Sequence, residues 1–344
     1  MPEYNIEFTH SATRFYFNSP FASLKALAAP ETSFIITDEC LFRHYETTLK
    51  DWQTIVIPAG EASKSFATLE YITGQLIARD AGRNALIIGF GGGVVTDIAG
   101  FTAGIYKRGV RSAFIPTSLL AMVDAAVGGK NGIDTGKYKN MAGLIRQPEF
   151  LLYDYTLLDT LPATEWHNGF AEIIKHACIA DAGMFAFLEK HHPGAFRDNR
   201  DLMKTLIQKN ALLKAAVVQQ DETEKGKRKL LNFGHTLAHA IETDCNLPHG
   251  HAVSLGIGFA AGLSQEKTGF RETDRIITLL SRYGLPVCDD FDKAQALQRM
   301  LADKKRNGDF IDFVLLERIG QAAIIPLSIP EIAACLTHYN DNEH

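Results

Sequence analysis

Short apolar runs alternate with helical patterns through the first half of the chain. SFIITD (33–38), TIVIPAG (54–60), ALIIGFGGG (85–93), SAFIPTS (112–118) and FLLYD (150–154) are rich in β-formers, and each apolar run stops at Asp, Pro or Gly. Short, unbroken apolar runs predict strands buried on both faces, as in a parallel sheet. Between them, segments such as SKSFATLEYITGQLIARD (63–80) carry apolar residues at helical spacing. The alternation predicts an α/β domain with ligands at the carboxyl ends of its strands. From about Leu161 the pattern turns helical: PATEWHNGFAEIIKHACIAD (162–181) predicts a helix with Thr164 as its N-cap. Further helical stretches follow around 183–190, 200–219, 234–244, 250–267, 272–283 and 292–302, with one small hairpin near 310–326. The expected fold is α/β plus α: an N-terminal domain over residues 1–160 and a mainly helical domain over 161–344, with the site in the cleft between them.

Composition narrows the function. The chain has 344 residues, 46% hydrophobic, which suits two domains. A formal charge of −5 lacks the basic footprint of a nucleic-acid partner. The short run EKGKRK (224–229) reads as a solvated loop. No stretch holds the roughly 18 apolar residues that span a bilayer. MPEYNIEFTH lacks the basic and apolar regions of a signal peptide. Cys40, Cys178, Cys245, Cys288 and Cys335 are scattered and never form C-x-x-C, so the expectation is a reducing, cytoplasmic setting without disulfides or a cysteine-built zinc site.

Three stretches carry chemistry. GFGGGVVTDIAGF (89–101) follows a strand and opens a helix, where glycines and free N–H groups can cradle a phosphate. The plainer alternative is a tight turn, and the run is not G-x-G-x-x-G. GGKNGIDTGKYKN (128–140) reads as a loop whose lysines either hold an anion or face solvent. AEIIKHA (171–177) sets Glu172, Lys175 and His176 on one helical neighbourhood, where a carboxylate beside an apolar stripe is usually an edge group. LNFGHTLAHA (231–240) and LPHGHAV (247–253) hold two histidine pairs. Histidines at i and i+4 share a helix face and imidazole suits zinc, but this is HTLAH, not H-E-x-x-H. One Glu and two His would leave an open coordination position. Residue chemistry leaves open which two of His235, His239, His249 and His251 bind.

The series GGGVVTDIAGF, YKRGV, PTSLLAMVDAAVGGKNGID, KNMAGLIRQP, TLP, NGFAEIIKHA, KLLNFGHTLAHAIE, LPHGHAV and DKK resembles the 3-dehydroquinate synthase family, in order and spacing, from about residue 34 to residue 320. The resemblance implies a Rossmann-like NAD-binding domain with a parallel sheet, then a helical metal-binding domain, usually as a homodimer. It implies an NAD- and zinc- (or cobalt-) dependent carbon–oxygen lyase. This enzyme would convert 3-deoxy-D-arabino-heptulosonate 7-phosphate to 3-dehydroquinate and phosphate by transient oxidation, phosphate elimination, re-reduction and intramolecular aldol closure. Carried over by motif, Glu172, His235 and His249 would hold the metal. Asp38, Glu61, Lys64, Gly92, Gly93, Val94, Asp97, Thr117, Ser118, Lys139, Thr160 and Leu161 would meet NAD. Lys130, Asn140, Lys175, Lys214, Arg228, Asn232, Asp124, His239 and Lys304 or Lys305 would face the substrate, with Arg108 reaching across a dimer.

Two residues depart from the family pattern. Thr96 stands where GGGVxGD has its last Gly, and His251 where HGEAV is usual. The departures keep a sister cyclase of the valiolone or deoxy-inosose type in view, while Lys214, Asn232 and His239 match the dehydroquinate pattern. A polyol dehydrogenase would share fold and metal, but its uncharged substrate leaves Lys130, Lys175, Lys214 and Arg228 unexplained. A non-catalytic NAD-binding protein would have no use for all three metal ligands.

Overall fold

The computed structural model describes residues 3–136, 138–242, 245, 247–288, 290–302, 306–307 and 309–339. Contacts divide the chain into two compact units, Met1–Pro162 with Leu206–Thr223, and Ala163–Thr205 with Glu224–His344.

The first unit is built on nine strands: β1 (Glu3–Glu7), β2 (Ala12–Tyr16), β3 (Ser33–Asp38), β4 (Gln53–Ile57), β5 (Leu86–Gly91), β6 (Arg111–Pro116), β7 (Lys130–Thr135), β8 (Tyr138–Ile145) and β9 (Phe150–Leu152). Seven form one sheet in the order β1-β2-β9-β6-β5-β3-β4. Only the β1/β2 pair is antiparallel. β5 and β9 are buried from end to end and β3 nearly so, which is why their sequences are apolar without alternation. On one side Ile35, Ile88, Phe90, Ile115 and Leu152 pack with Phe21, Leu24 and Trp52 into a continuous core. Helices α1 (Glu39–Leu49), α2 (Phe66–Ala78) and α3 (Gly93–Ile105) follow β3, β4 and β5. From β3 the chain steps outward to β4, then returns past β3 to β5 and continues the other way to β6. The order therefore reverses between β3 and β5, the place where doubly wound sheets bind ligands.

Two expectations need correction here. GGKNGIDTGKYKN is not a loop: it opens the hairpin of β7 and β8, which pair Gly132 with Gly143. A Cβ on Gly143 would come within 2.5 Å of the Asn131 carbonyl oxygen, so the hairpin requires the glycines that erase its strand signal. The β1/β2 pair is also an addition, since its first strand is mostly exposed and has no apolar run.

The second unit holds α4 (Ala163–Ala180), α5 (Ala182–Lys190), α6 (Pro193–Asp198), the first turns of α7 (Arg200–Gln220), α8 (His235–Glu242), α9 (His249–Thr268), α10 (Thr273–Arg282), α11 (Lys293–Ala302) and α12 (Ile329–His338). A small antiparallel sheet joins β10 (Arg306–Asn307), β11 (Phe310–Arg318) and β12 (Gln321–Ser328). α4 begins at Ala163, so Thr164 lies inside its first turn rather than capping it. Nearly every side chain of α4 from Asn168 to Ile179 is buried, and Glu172 is buried with them.

Candidate active site

Three helices of the second unit bring one side chain each to a common point. Glu172 comes from the middle of α4, while His235 and His249 are the first residues of α8 and α9. Glu172 Oε1 lies 3.4 Å from His235 Nε2 and 3.2 Å from His249 Nε2. Neighbouring ligand atoms around a tetrahedral zinc, with bonds of about 2.0–2.1 Å, lie roughly 3.3 Å apart, so this donor set fits such an ion. Lys175 Nζ pairs with the other carboxylate oxygen, Glu172 Oε2. The outer ring nitrogens have partners too: His235 Nδ1 faces the Phe233 carbonyl oxygen at 3.1 Å, and His249 Nδ1 faces Glu242 Oε1 at 3.4 Å. Both rings therefore turn Nε2 inward.

The electrostatics suit a cation. Burial opposes ionisation of Glu172, yet Lys175 and the histidines outweigh it and hold the carboxyl well below its ordinary range. Burial, then Lys175, pushes His235 down toward the neutral form a ligand requires. Burial opposes a charge on His249 as well, but Glu172 and Glu242 overcome it and raise the imidazole to about 10. Uptake of a metal by this set would therefore displace a proton.

Backbone contacts set the helices. The N-cap of α9 is Pro248, which has no capping oxygen, and Asn168 of α4 supplies one instead: its Oδ1 accepts the Gly250 N–H at 2.8 Å. A Cβ on Gly256 would lie 1.9 Å from the Gly234 carbonyl oxygen, so α9 passes the start of α8 at backbone contact. Of the two histidine pairs, His235 and His249 meet Glu172. His239 is exposed with its ring 5.4 Å from that of His235, and His251 stacks on His167 at 6.4 Å. Lys175 and Arg228 are buried at 2% and 1% exposure. The solvated reading of EKGKRK thus holds for Lys225 and Lys227 and fails for Arg228, which the turn Lys227–Asn232 folds inward. Asn232 Nδ2 donates to Glu224 Oε1 at 2.8 Å. Lys304 and Lys305 lie outside the described residues.

The first unit gathers a second group at the reversal of its sheet. Asp38 ends β3, Gly92 and Gly93 open α3 behind β5, and Thr117 and Ser118 follow β6. Gly92 is the N-cap of α3 and offers no side-chain cap, so the first N–H groups of the helix, Val94 included, point outward. A Cβ on Gly91 would lie 2.5 Å from Val95 Cβ, so strand and helix meet there only through glycine. Lys64, 5% exposed, donates to Asp97 Oδ2 at 2.8 Å and Asn140 Oδ1 at 2.5 Å. Glu61 Oε1 lies 3.9 Å from Lys64 Nζ and 3.8 Å from Lys139 Nζ. Burial works against the charge on Lys64, but Asp97 and Glu61 more than restore it and raise its pKa. Asp38 Oδ1 caps α1 by accepting from Cys40 and Leu41, each at 2.9 Å.

Lys214 Nζ pairs with Asp124 Oδ1 at 2.7 Å, and Asp124 sits on a π-turn (Ala121–Ala125). Lys130 opens β7 and is exposed. Thr160 Oγ1 lies 3.2 Å from the Tyr45 hydroxyl, with Leu161 next in chain. Arg108 is exposed and in the left-handed region at φ 69°, beside Lys107 at 48°.

The chain matches the family model for the N-terminal part of 3-dehydroquinate synthase over residues 54–168 and that for its C-terminal part over 169–306. The 3-dehydroquinate synthase of Shouchella clausii (strain KSM-K16) is 40% identical over 312 residues, 87% of each chain. The chain belongs to the 3-dehydroquinate synthase family. The family's enzyme from Acidithiobacillus ferrooxidans (strain ATCC 53993 / BNL-5-31) is 39% identical over 337 residues, 93% of this chain and 92% of its own. A solved 2-epi-5-epi-valiolone synthase from Streptomyces hygroscopicus subsp. jinggangensis 5008, with NAD+ and Zn2+ bound, superposes with a TM-score of 0.87 at 26% identity, over 100% of both chains.

Against the 3-dehydroquinate synthase pattern, Thr96 proves internal to its helix. It is 1% exposed, and its hydroxyl donates to the Gly93 carbonyl oxygen at 3.0 Å. Two residues had no role in the motif reading: Asn168, within NGFAEIIKHA, and Glu242, which closely follows the His235/His239 pair in KLLNFGHTLAHAIE. Glu242 is seven residues after His235, close to two helical turns, so spacing alone places both on one face of α8.

Proposed function

We propose that the protein converts 3-deoxy-D-arabino-heptulosonate 7-phosphate to 3-dehydroquinate and phosphate, with NAD and a divalent metal, zinc or cobalt, as cofactors. The observation that carries this reading is the convergence of Glu172, His235 and His249 in a chain of this family. When bound, NAD supplies a reversible hydride acceptor and the metal a Lewis acid.

The protein's own residues do the rest. Glu172 Oε1 and the two Nε2 atoms would hold the metal, the three-ligand set typical of catalytic zinc. The outward N–H groups at the start of α3 hold the dinucleotide's pyrophosphate, with Asp38, Thr117, Ser118, Thr160 and Leu161 along the nucleotide. Lys64 orders Asp97 and Asn140, and Glu61 and Lys139 complete that cluster. Lys130, Lys175, Lys214, Arg228 and a lysine of DKK balance the substrate's phosphate and carboxylate, while Asp124 and Asn232 orient its hydroxyls. His239 stands outside the donor set and would carry a proton in the reaction.

The reading includes a cytoplasmic homodimer. No helix among the described residues is long and apolar enough to cross a membrane. Tyr138, Met141 and Ile145 expose apolar side chains along β8, and Ile105 does so at the end of α3, three residues before Arg108. A second copy seated there would cover them and receive Arg108.

A sister cyclase is the second reading, favoured by Thr96, His251 and the 26%-identical valiolone synthase. One reaction separates the two. Purified protein, NAD, zinc and the heptulosonate phosphate should yield phosphate and 3-dehydroquinate in equal amounts without accumulating NADH. Turnover of sedoheptulose 7-phosphate or glucose 6-phosphate instead would establish the sister activity. Steady NADH release from a polyol would establish a dehydrogenase.

A further inference from the structure

We propose that Glu242 is a positioning residue for the metal: it accepts the Nδ1–H of His249 and holds that ring with Nε2 toward Glu172 and His235. The inference rests on the metal-site reading above. Glu242 is the last residue of α8 and only 7% exposed. A carboxylate so far from water needs a hydrogen-bonded or charged partner. Its Oε1 lies 3.4 Å from His249 Nδ1, while His249 Nε2, on the far side of the ring, lies 3.2 Å from Glu172 Oε1. The ring is thus held between two carboxylates, one inside the donor set and one behind it.

Such a clamp has two effects. An acceptor at Nδ1 fixes the tautomer that leaves Nε2 as the ligand atom, and an anionic acceptor makes that nitrogen more electron-rich. His235 obtains its acceptor from the Phe233 carbonyl, a backbone group no substitution removes. For His249 the corresponding group is a side chain. α8 therefore carries a metal ligand at its first residue and the orienting group of another ligand at its last. Its two turns set the distance between them.

The test is zinc affinity, measured on metal-stripped protein by competition with a chromophoric chelator at fixed pH. Glu242→Ala should weaken zinc about 10- to 100-fold, the range seen when such outer partners are removed. Glu242→Gln keeps an acceptor oxygen without the charge and should lose less. His249→Ala should weaken zinc more than Glu242→Ala does while still binding measurably at high free zinc, and adding Glu242→Ala to it should cost nothing further, since Glu242 acts through His249. Visible absorption of the cobalt-loaded proteins should differ between Glu242→Ala and wild type, a signature that a role in packing alone would not produce. Unchanged zinc affinity in Glu242→Ala overturns the proposal, as do additive losses in the double variant. If wild type itself takes up no zinc, the metal-site reading fails instead, and the proposal with it.

Discussion

Replacing Asn168 tests how the metal-bearing helix is anchored. Asn168 is 6% exposed, and its Oδ1 takes the Gly250 N–H at 2.8 Å. In Asn168→Ala that N–H stays buried without an acceptor, which costs about 1–3 kcal/mol. Loss of a helix cap gives an overlapping figure of roughly 0.5–2 kcal/mol. For a folding unit of roughly 150–250 residues each kcal/mol moves the melting temperature by about 2–4 °C, so a drop on the order of 2–8 °C is expected. Asn168→Leu, of similar volume but with no acceptor, should lose as much. Asn168→Asp keeps the oxygen and places an anion at a helix N-terminus, so it should recover most of the stability. His249 is the first residue of the helix being capped, so zinc affinity should fall with stability in the Ala and Leu variants and return in Asp. Thermal unfolding of the metal-free proteins, followed by circular dichroism, reads the first effect and chelator competition the second. Asn168→Leu melting within a degree of wild type would refute the reasoning, because the cap would then contribute nothing.

Glu172→Gln, His235→Ala and His249→Ala should each purify with little metal, whereas His239→Ala keeps its metal and loses turnover; equal metal loss in all four would overturn the donor set. Lys64→Met leaves Asp97 and Asn140 without their shared cation and should weaken NAD about ten- to a hundredfold by titration calorimetry, as expected for a lost charge-assisted contact of about 1.5–3 kcal/mol; unchanged NAD affinity would count against the cluster. Glu331, held to about 2 by Ser328 and Lys267 against an ordinary 4.5, favours the folded state above about pH 4.5 and ceases to as the pH falls toward about 2. Glu331 closes the capping box of α12 with Ser328, so the stability lead of wild type over Glu331→Ala at neutral pH should shrink through that window in denaturant titrations, and a lead independent of pH would exclude this capping role.

The fold was legible where the physics is local. Apolar runs too short for helices fixed β3, β4, β5, β6 and β9 to within a few residues, and helical spacing did the same for most of the second unit. The hairpin of β7 and β8 escaped because close backbone approach demanded glycine, and glycine carries no strand signal. Ordered motifs named the family and, through it, every candidate ligand and contact. Three things needed the folded chain. One is that Glu172, a carboxylate on an apolar helix, is a fully buried group facing two histidines 63 and 77 residues away. Another is that Arg228, inside a basic run, turns inward. The third is the support of the site, where Asn168 caps a helix it does not belong to and Glu242 backs a histidine of another helix. Sequence spacing reports which residues share an element. Which elements meet, and which oxygen then faces which nitrogen, is decided by packing, because burial leaves each polar group only the partners that tertiary structure supplies.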